Sequence, residues 1–198
     1  MLYALARCIF VPFFKLLFRA RVIGKENLPA EGPVILAANH LSNWDPPFLA
    51  CFISRHVHYM AKTELFENPV FSAMIRSCHA FPVKRGAADR GAIKMAMQVL
   101  KGGSVLGVFP EGTRSRTGEM GKAEAGVALF ASMSNAPVVP AAIIGTNEMF
   151  SKGKTFPQLS VIYGEPLRFE GDRKNREDLE AFSQRILDRI RNLKEKVK

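Results

Sequence analysis

A histidine and an aspartate five positions apart, His40 and Asp45, form the first pair in the chain able to perform acid–base chemistry. On a continuous helix this spacing would place them about 140° apart, so the two side chains can meet only where the chain turns. A carboxylate beside an imidazole fixes its tautomer and stabilises the imidazolium formed when the ring accepts a proton. The spacing allows two interpretations: a general base with its orienting carboxylate, or a loop histidine near an aspartate that only caps a helix.

A second polar segment carries residue types that bind anions. It reads Phe109-Pro110-Glu111-Gly112-Thr113-Arg114-Ser115-Arg116 and follows an apolar run. Arginine presents a planar fork that matches phosphate, and hydroxyls and free backbone N–H groups complete such a cradle. No GxxxxGK[ST] motif passes through it, so it is not a nucleotide P-loop. The segment predicts an anion site at Gly112, Thr113, Arg114 and Arg116, with Glu111 orienting a guanidinium; the alternative is a basic surface turn.

A third apolar run, from Phe81 to Val83, leads into another basic turn with Lys84, Arg85 and Gly86. Together with the loop that contains Arg114, this turn offers a second set of cations that could converge on one anionic group. Arg85 therefore joins the candidate anion site.

Composition narrows the classes of protein. The 198 residues, 47% hydrophobic and 23% charged, describe a folded chain with one domain as the default. Three cysteines without CxxC spacing fit neither a disulfide scaffold nor a zinc site, and no GxSxG nucleophile elbow occurs. A net charge of +10 indicates an anionic partner: nucleic acid, acidic phospholipid, or an acidic carrier or substrate. No recognition helix or aromatic–basic sheet face is apparent, so we do not expect nucleic acid.

Alternating apolar runs and amphipathic segments indicate the elements that position these loops. We predict a single α/β domain with a mainly parallel central sheet flanked by helices. The predicted strands cover 33–38, 56–60, 80–83, 105–109, 137–144 and, near an edge, 159–163; the predicted helices cover 45–54, 64–77 with a break at Pro69, 89–101, 122–133 and 177–197. Polar loops at the carboxyl ends of parallel strands share one edge of the sheet, so the three segments should converge. The remaining histidines, His56, His58 and His79, lie in or beside strands and are interpreted as structural.

The first 20 residues form a separate feature, an apolar run interrupted by basic residues. It is too short and too charged for a comfortable membrane-spanning helix, and it lacks the cleavage pattern of a secretory signal. Pro12 should kink it. Such a segment suits the plane of an anionic membrane interface, the alternative being a first helix that packs on the core. The residues predicted to contact the membrane are Arg7, Phe10, Phe13, Phe14, Lys15, Phe18 and Arg19.

Taken together, the loops resemble the blocks of the PlsC-type glycerolipid acyltransferase family. The first block, His, four residues and Asp, is matched by Asn39-His40 through Asp45, and the second by Phe81 to Arg85. The third block, Phe-Pro-Glu-Gly-Thr-Arg-Ser, is present unchanged from Phe109 to Ser115. The fourth, a Val-Pro pair that opens an apolar strand, is matched from Val139 to Ile143. The family often has a Phe-Lys-Lys-Gly-like stretch after the third block, where this chain has Ala123-Glu124-Ala125-Gly126.

The resemblance implies a role for each motif. His40 would be the general base toward the free hydroxyl of 1-acylglycerol 3-phosphate, Asp45 would orient it, and acyl transfer from a thioester would be direct. Arg85, Arg114 and Thr113 or Arg116 would hold the acceptor phosphate, and Glu111 would bind the acceptor or position an arginine. No metal or bound cofactor is implied. The donor would be acyl carrier protein or acyl-CoA.

The resemblance also implies a location and a division of the chain. The enzyme would be peripheral or monotopic on the cytoplasmic face of the cell membrane, with residues 1–20 as the membrane-association segment and 21–198 as the acyltransferase domain. Two alternatives stay open: an acyltransferase for another acceptor, such as glycerol-3-phosphate or another lysolipid, and a non-catalytic domain that binds anionic lipid.

Overall fold

A seven-stranded sheet organises the part of the chain that the computed structural model describes, residues 2–84, 89–115, 119–151, 153 and 155–196. Its strands are β1 (Arg21–Ile23), β2 (Val34–Ala38), β3 (Val57–Lys62), β4 (Ala80–Val83), β5 (Val105–Val108), β6 (Val138–Ile144) and β7 (Ser160–Tyr163), in the order β1-β7-β6-β2-β5-β3-β4. The β6–β7 pair is antiparallel, and the other pairs are parallel. The predicted α/β fold with a mainly parallel sheet is confirmed.

Helices cover both faces of this sheet. They are α1 (Leu2–Pro12), α2 (Asp45–Cys51), α3 (Pro69–Ser77), α4 (Arg90–Lys101), α5 (Gly126–Ser134) and α6 (Arg176–Glu195). One apolar cluster joins α1 and α2 to the sheet, and a second joins α4, α5 and α6 to it. The central strand β2 is fully buried because its uninterrupted apolar run packs against helices on both sides.

Several boundaries differ from the sequence expectations. The predicted helix 64–77 is broken where Pro69 suggested, into a 3₁₀ turn at Thr63–Phe66 and α3. The helix predicted from Lys122 begins only at Gly126, because the preceding residues form a loop at the site described below. The short strand β1 was not predicted, and it covers β7, which therefore lies one position inside the sheet edge.

The N-terminal segment changes helix type at the predicted kink. Helix α1 ends at Pro12, and a π-helical segment follows at Phe13–Leu17. Proline lacks the N–H that an α-helical bond would need, and the wider turn after it adjusts the direction of the chain. The described part of the chain contains no helix that is both long and apolar enough to cross a membrane.

This segment packs on the domain through several of the residues that were predicted to contact the membrane. Phe14 and Phe18 have no exposed surface, and Phe14 contacts the ring of Phe48 at 5.0 Å between centroids. Arg7 Nε donates a hydrogen bond to the Cys51 carbonyl at the end of α2. The prediction that Phe14 and Phe18 contact lipid is therefore wrong, because both rings belong to the core. Arg7 is half-buried, and its contact with lipid stays a prediction.

Of the other residues that were predicted to contact the membrane, some contact the domain and some are exposed. Phe10 and Phe13 are half-buried against Trp44, and Arg19, although exposed, donates to the Phe156 carbonyl. Lys15 is exposed. The opposite side of the segment leaves large apolar side chains uncovered: Leu5 (55% exposed), Ile9 (58%), Leu16 (78%) and Leu17 (46%).

A pair of substitutions tests whether this segment belongs to the core. We expect Phe14→Ala to lower the free energy of unfolding by about 3–5 kcal/mol, since it leaves a cavity among aromatic rings. Leu16→Ala, two positions away and largely exposed, should change it by no more than about 0.5 kcal/mol. Urea unfolding followed by circular dichroism measures both, and equal effects would contradict the packing described.

Candidate active site

His40 and Asp45 meet at the carboxyl end of β2. His40 Nδ1 lies 2.8 Å from Asp45 Oδ2, and both side chains are buried. The same carboxylate oxygen accepts the backbone N–H groups of Leu41 at 2.6 Å and Ser42 at 2.7 Å. Asp45 begins α2, but its carboxylate reaches back into the loop instead of capping its own helix. The geometry matches the first interpretation of the spacing, a histidine paired directly with its carboxylate.

Asn39, directly after β2, fixes the start of the turn between the two residues by hydrogen bonds to the neighbouring strand β6. Its side-chain amide accepts the Ile143 N–H at 2.7 Å and donates to the Ile143 carbonyl at 2.9 Å. The amide thus continues the β2–β6 ladder one step beyond the end of β2, while the main chain is released to turn. The sequence placed Asn39 in the first block, directly before His40, but gave no indication of this role.

Thr146, which the sequence analysis missed, holds the other carboxylate oxygen. Its hydroxyl lies 2.5 Å from Asp45 Oδ1 and donates to it, although the two residues are 101 positions apart. No spacing rule indicates such a contact, because it depends on the arrangement of β2 and β6 side by side. The carboxylate therefore accepts four hydrogen bonds, and these bonds fix its orientation.

The imidazole of His40 is also held by the loop after β5. Its ring stacks on Phe109 at 4.0 Å between centroids, with planes 15° apart. The ring of Tyr59 is also stacked on Phe109, at 6.0 Å between centroids. Gly107 makes room for Tyr59, because a Cβ atom at position 107 would lie 2.2 Å from its ring. With Nδ1 on Asp45, Nε2 is the nitrogen that carries the lone pair for accepting a proton.

Glu111 joins this histidine to the second polar loop. Its Oε1 accepts the backbone N–H of His40 at 3.0 Å, and its Oε2 accepts that of Gly121 at 2.9 Å. The His40 carbonyl accepts in turn the N–H of Ser115 at 2.9 Å. Both oxygens of Glu111 thus accept backbone N–H groups of two loops, and the expected role of Glu111, to orient a guanidinium or to bind the acceptor, stays a prediction.

A cleft of about 370 Å³ opens beside Glu111. Its lining includes Thr113 and Arg114, which the motif predicted. It also includes Lys122 and the carboxylates of Glu119 and Glu124, which the motif did not predict. The lining residues are Glu111, Thr113, Arg114, Ser115, Glu119, Gly121, Lys122 and Glu124. Gly112 forms the turn beneath them with φ +66°, and a Cβ atom there would lie 3.3 Å from Glu124 Cγ. Arg85 and Arg116 lie outside the described residues.

The other histidines pack together at the opposite edge of the sheet. The rings of His56 and His58 lie 4.6 Å and 4.8 Å from that of His79, and Tyr3 of α1 covers the group. Burial lowers the pKa of His58 and of His79, which favours neutral rings. Among the residues that the structure describes, no group of histidine, cysteine and acidic side chains is arranged to hold a metal ion.

Comparison with known proteins gives consistent results. Residues 19–144 match the family model described as Acyltransferase. The chain is 38% identical over 185 residues to the 1-acyl-sn-glycerol-3-phosphate acyltransferase of Bacillus subtilis, covering 89% of each chain. It is 33% identical to the protein of that name from Streptococcus pneumoniae, covering 83% of this chain and 61% of that one.

A solved structure extends the similarity to the fold. The crystal structure of the 1-acyl-sn-glycerophosphate acyltransferase PlsC from Thermotoga maritima matches with a TM-score of 0.76 and 27% identity, over 97% of this chain and 80% of that one. The chain belongs to the acyltransferase family, in its PlsC-type branch. It is accordingly an enzyme that transfers acyl groups.

A conservative substitution tests the bridge formed by Glu111. Glu111→Gln keeps one acceptor oxygen but places an NH₂ group against a backbone N–H, so two donors face each other in a buried position. We expect the free energy of unfolding to fall by about 1–3 kcal/mol. Urea denaturation measures it, with Glu67→Gln on the exposed surface as the matched control. Equal stability of the two variants would show that the bridge contributes nothing.

Proposed function

We propose that the protein transfers a fatty acyl group from an acyl thioester to the free hydroxyl of 1-acylglycerol 3-phosphate, which yields phosphatidic acid for phospholipid synthesis. The observation that carries the proposal is the buried His40–Asp45 pair, tied through Glu111 to the loop of Arg114. The names of the relatives in Bacillus subtilis and Streptococcus pneumoniae support this acceptor.

The chemistry needs one base and no covalent intermediate on the enzyme. Nε2 of His40 takes the proton of the acceptor hydroxyl as its oxygen attacks the thioester carbonyl. The new C–O bond forms, the C–S bond breaks, and the departing sulfur receives the proton from the imidazolium. Asp45 stabilises the imidazolium during this step, because its ionised carboxylate accepts the Nδ1–H.

The cleft beside Glu111 is the proposed position of the acceptor phosphate. Arg114 supplies a guanidinium and Thr113 a hydroxyl, and Lys122 adds an ammonium on the same lining. Gly112 lets the backbone approach closely, and Arg85 and Arg116 complete the set proposed from the motifs. A phosphate bound here would place an attached glycerol hydroxyl next to the loop that carries His40.

The acyl donor in this proposal is acyl carrier protein or acyl-CoA. Both are acidic, and the net charge of +10 on the chain favours their encounter with it. Transfer between a soluble thioester and a lipid acceptor requires the site to reach a membrane surface from the side where thioesters are found. We therefore place the enzyme on the cytoplasmic face of the cell membrane, as a peripheral or monotopic protein.

The N-terminal segment is the proposed membrane contact, with residues 1–20 attached to the acyltransferase domain of 21–198. The side turned away from the domain exposes Leu5, Ile9, Leu16 and Leu17, and Lys15 stands beside them. Apolar side chains next to a cation suit the interface of an anionic bilayer. Phe10, Phe13 and Arg19 would contribute at the margin, where they also contact the domain.

An acyl-transfer assay with purified protein tests the proposed reaction. The acceptors are 1-acylglycerol 3-phosphate, glycerol-3-phosphate and an uncharged monoacylglycerol, each offered with both thioester carriers. We expect phosphatidic acid as the main product, and a loss of at least about 10²-fold in kcat in His40→Ala. Arg114→Ala should raise KM for the phosphorylated acceptor about tenfold or more.

His58→Ala, with its ring in the distant histidine group, is the matched control for His40→Ala and should keep the wild-type rate. A preference for glycerol-3-phosphate would replace the proposed acceptor with another of the same enzyme class. Unchanged activity of His40→Ala would refute the assignment of the base.

Vesicle binding tests the membrane contact. Deleting residues 1–20 would remove Phe14 and Phe18 from the core, so substitutions on the exposed side are the better design. We expect Ile9→Ser/Leu16→Ser/Leu17→Ser to weaken binding to phosphatidylglycerol vesicles at least about tenfold, because buried apolar area is lost.

The matched control is Met95→Ser/Met133→Ser, which removes comparably exposed apolar groups from the helices on the other face of the sheet. Binding that is unaffected by the triple substitution, or equally weakened in the control, would move the membrane contact elsewhere.

A further inference from the structure

Thr146 lies outside the four sequence blocks, yet it contacts the catalytic pair. Its Oγ1 donates to Asp45 Oδ1, while Asp45 Oδ2 binds His40 Nδ1 and the N–H groups of Leu41 and Ser42. Thr146 is 1% exposed and Asp45 is fully buried, so water does not supply a substitute donor at the first oxygen.

The position of Thr146 is specified by the turn after β6. Gly145 takes φ +90°, and a Cβ atom there would lie 2.6 Å from the Gln158 carbonyl oxygen, so only glycine fits the turn. A 3₁₀ turn then begins at Thr146 and directs its side chain toward α2. The amide of Asn39 binds both the N–H and the carbonyl of Ile143, and these two hydrogen bonds fix the distance between the end of β6 and the end of β2.

We propose that Thr146 is a positioning residue for acyl transfer, which holds Asp45 Oδ1 so that Oδ2 stays on Nδ1 of His40. The proposal rests on the role of His40 proposed above. A carboxylate has two equivalent oxygens, and a rotation about its Cβ–Cγ bond redistributes them among the donors. With Thr146 in place, every oxygen has its own donors and the imidazole keeps one tautomer, Nδ1–H.

The experiment compares Thr146→Val, which is nearly isosteric and lacks the hydroxyl, with Thr146→Ser, which retains it. We expect kcat for lysophosphatidate acylation to fall about 10- to 100-fold in Thr146→Val, with KM for both substrates within about twofold of wild type. Thr146→Ser should keep kcat within about threefold of wild type. Thr155→Val makes the same change at an exposed position of the following loop and should leave kcat unchanged.

The pH dependence of kcat/KM separates positioning from a loss of folding. Without the Thr146 donor the carboxylate is free to rotate away from Nδ1, which weakens its stabilisation of the imidazolium. The acid limb of the profile of Thr146→Val therefore shifts to lower pH, whereas a smaller folded fraction would lower the whole profile without shifting it. If Thr146→Val does not fold, Thr146→Ala removes the hydroxyl without adding a methyl group and is expected to shift the limb in the same direction.

A spectroscopic measurement is independent of the identity of the acceptor. The imidazole ¹⁵N resonances of His40 should report the Nδ1–H tautomer in the wild type and in Thr146→Ser, and a mixture of tautomers in Thr146→Val. Wild-type protein that acylates none of the acceptors would refute the proposed function, while the resonances still decide the role of Thr146. Wild-type kcat, pH profile and resonances in Thr146→Val would overturn the positioning role.

Discussion

The buried carboxylate of Asp45 is the group on which the site depends. A charge without solvent is tolerated in a protein interior only when its lone pairs are occupied, and Asp45 accepts four hydrogen bonds from a histidine, two backbone amides and a threonine. These donors come from the end of β2 and from the turn after β6. All four donors reach the Asp45 carboxylate only if the ends of β2 and β6 lie side by side. The same arrangement fixes the orientation of the His40 imidazole, which is one of the donors.

The same principle extends from Asp45 to the loops around it. The side-chain amide of Asn39 and the carboxylate of Glu111 form hydrogen bonds with backbone groups, as a neighbouring strand would. Both side chains therefore connect loops that follow the ends of strands. Phe109 closes the face of the histidine ring. Hydrogen bonds of buried polar side chains thus connect these loops to each other and to the sheet, as main-chain hydrogen bonds connect the strands.

Short-range patterns were sufficient for the fold and for the contact between His40 and Asp45. The apolar run of β2 and the break at Asp45-Pro46 placed His40 and Asp45 at a strand-to-helix turn, where they meet. Contacts across many residues, such as Thr146 with Asp45, leave no such pattern. The N-terminal segment was only partly predicted, for a different reason: the sequence indicated an apolar segment at a membrane but not which of its side chains face the domain. Periodicity gives the relative angle of Phe14 and Leu16 about the axis; which of them faces the sheet depends on where the segment docks, and the π-helical turn after Pro12 also departs from the assumed 100° per residue.

The burial of Phe14 and Phe18 in the core would couple the proposed membrane attachment to folding. Since the side chains on one face of a single segment complete the hydrophobic core and those on the other face form the proposed membrane contact, only the folded chain presents that contact as an ordered surface. A bilayer bound there behaves as a ligand of the native state and stabilises it by mass action. Conversely, a chain that loosens its first turns would lose the proposed membrane contact and part of its core together, so that detachment of this kind would accompany the onset of unfolding.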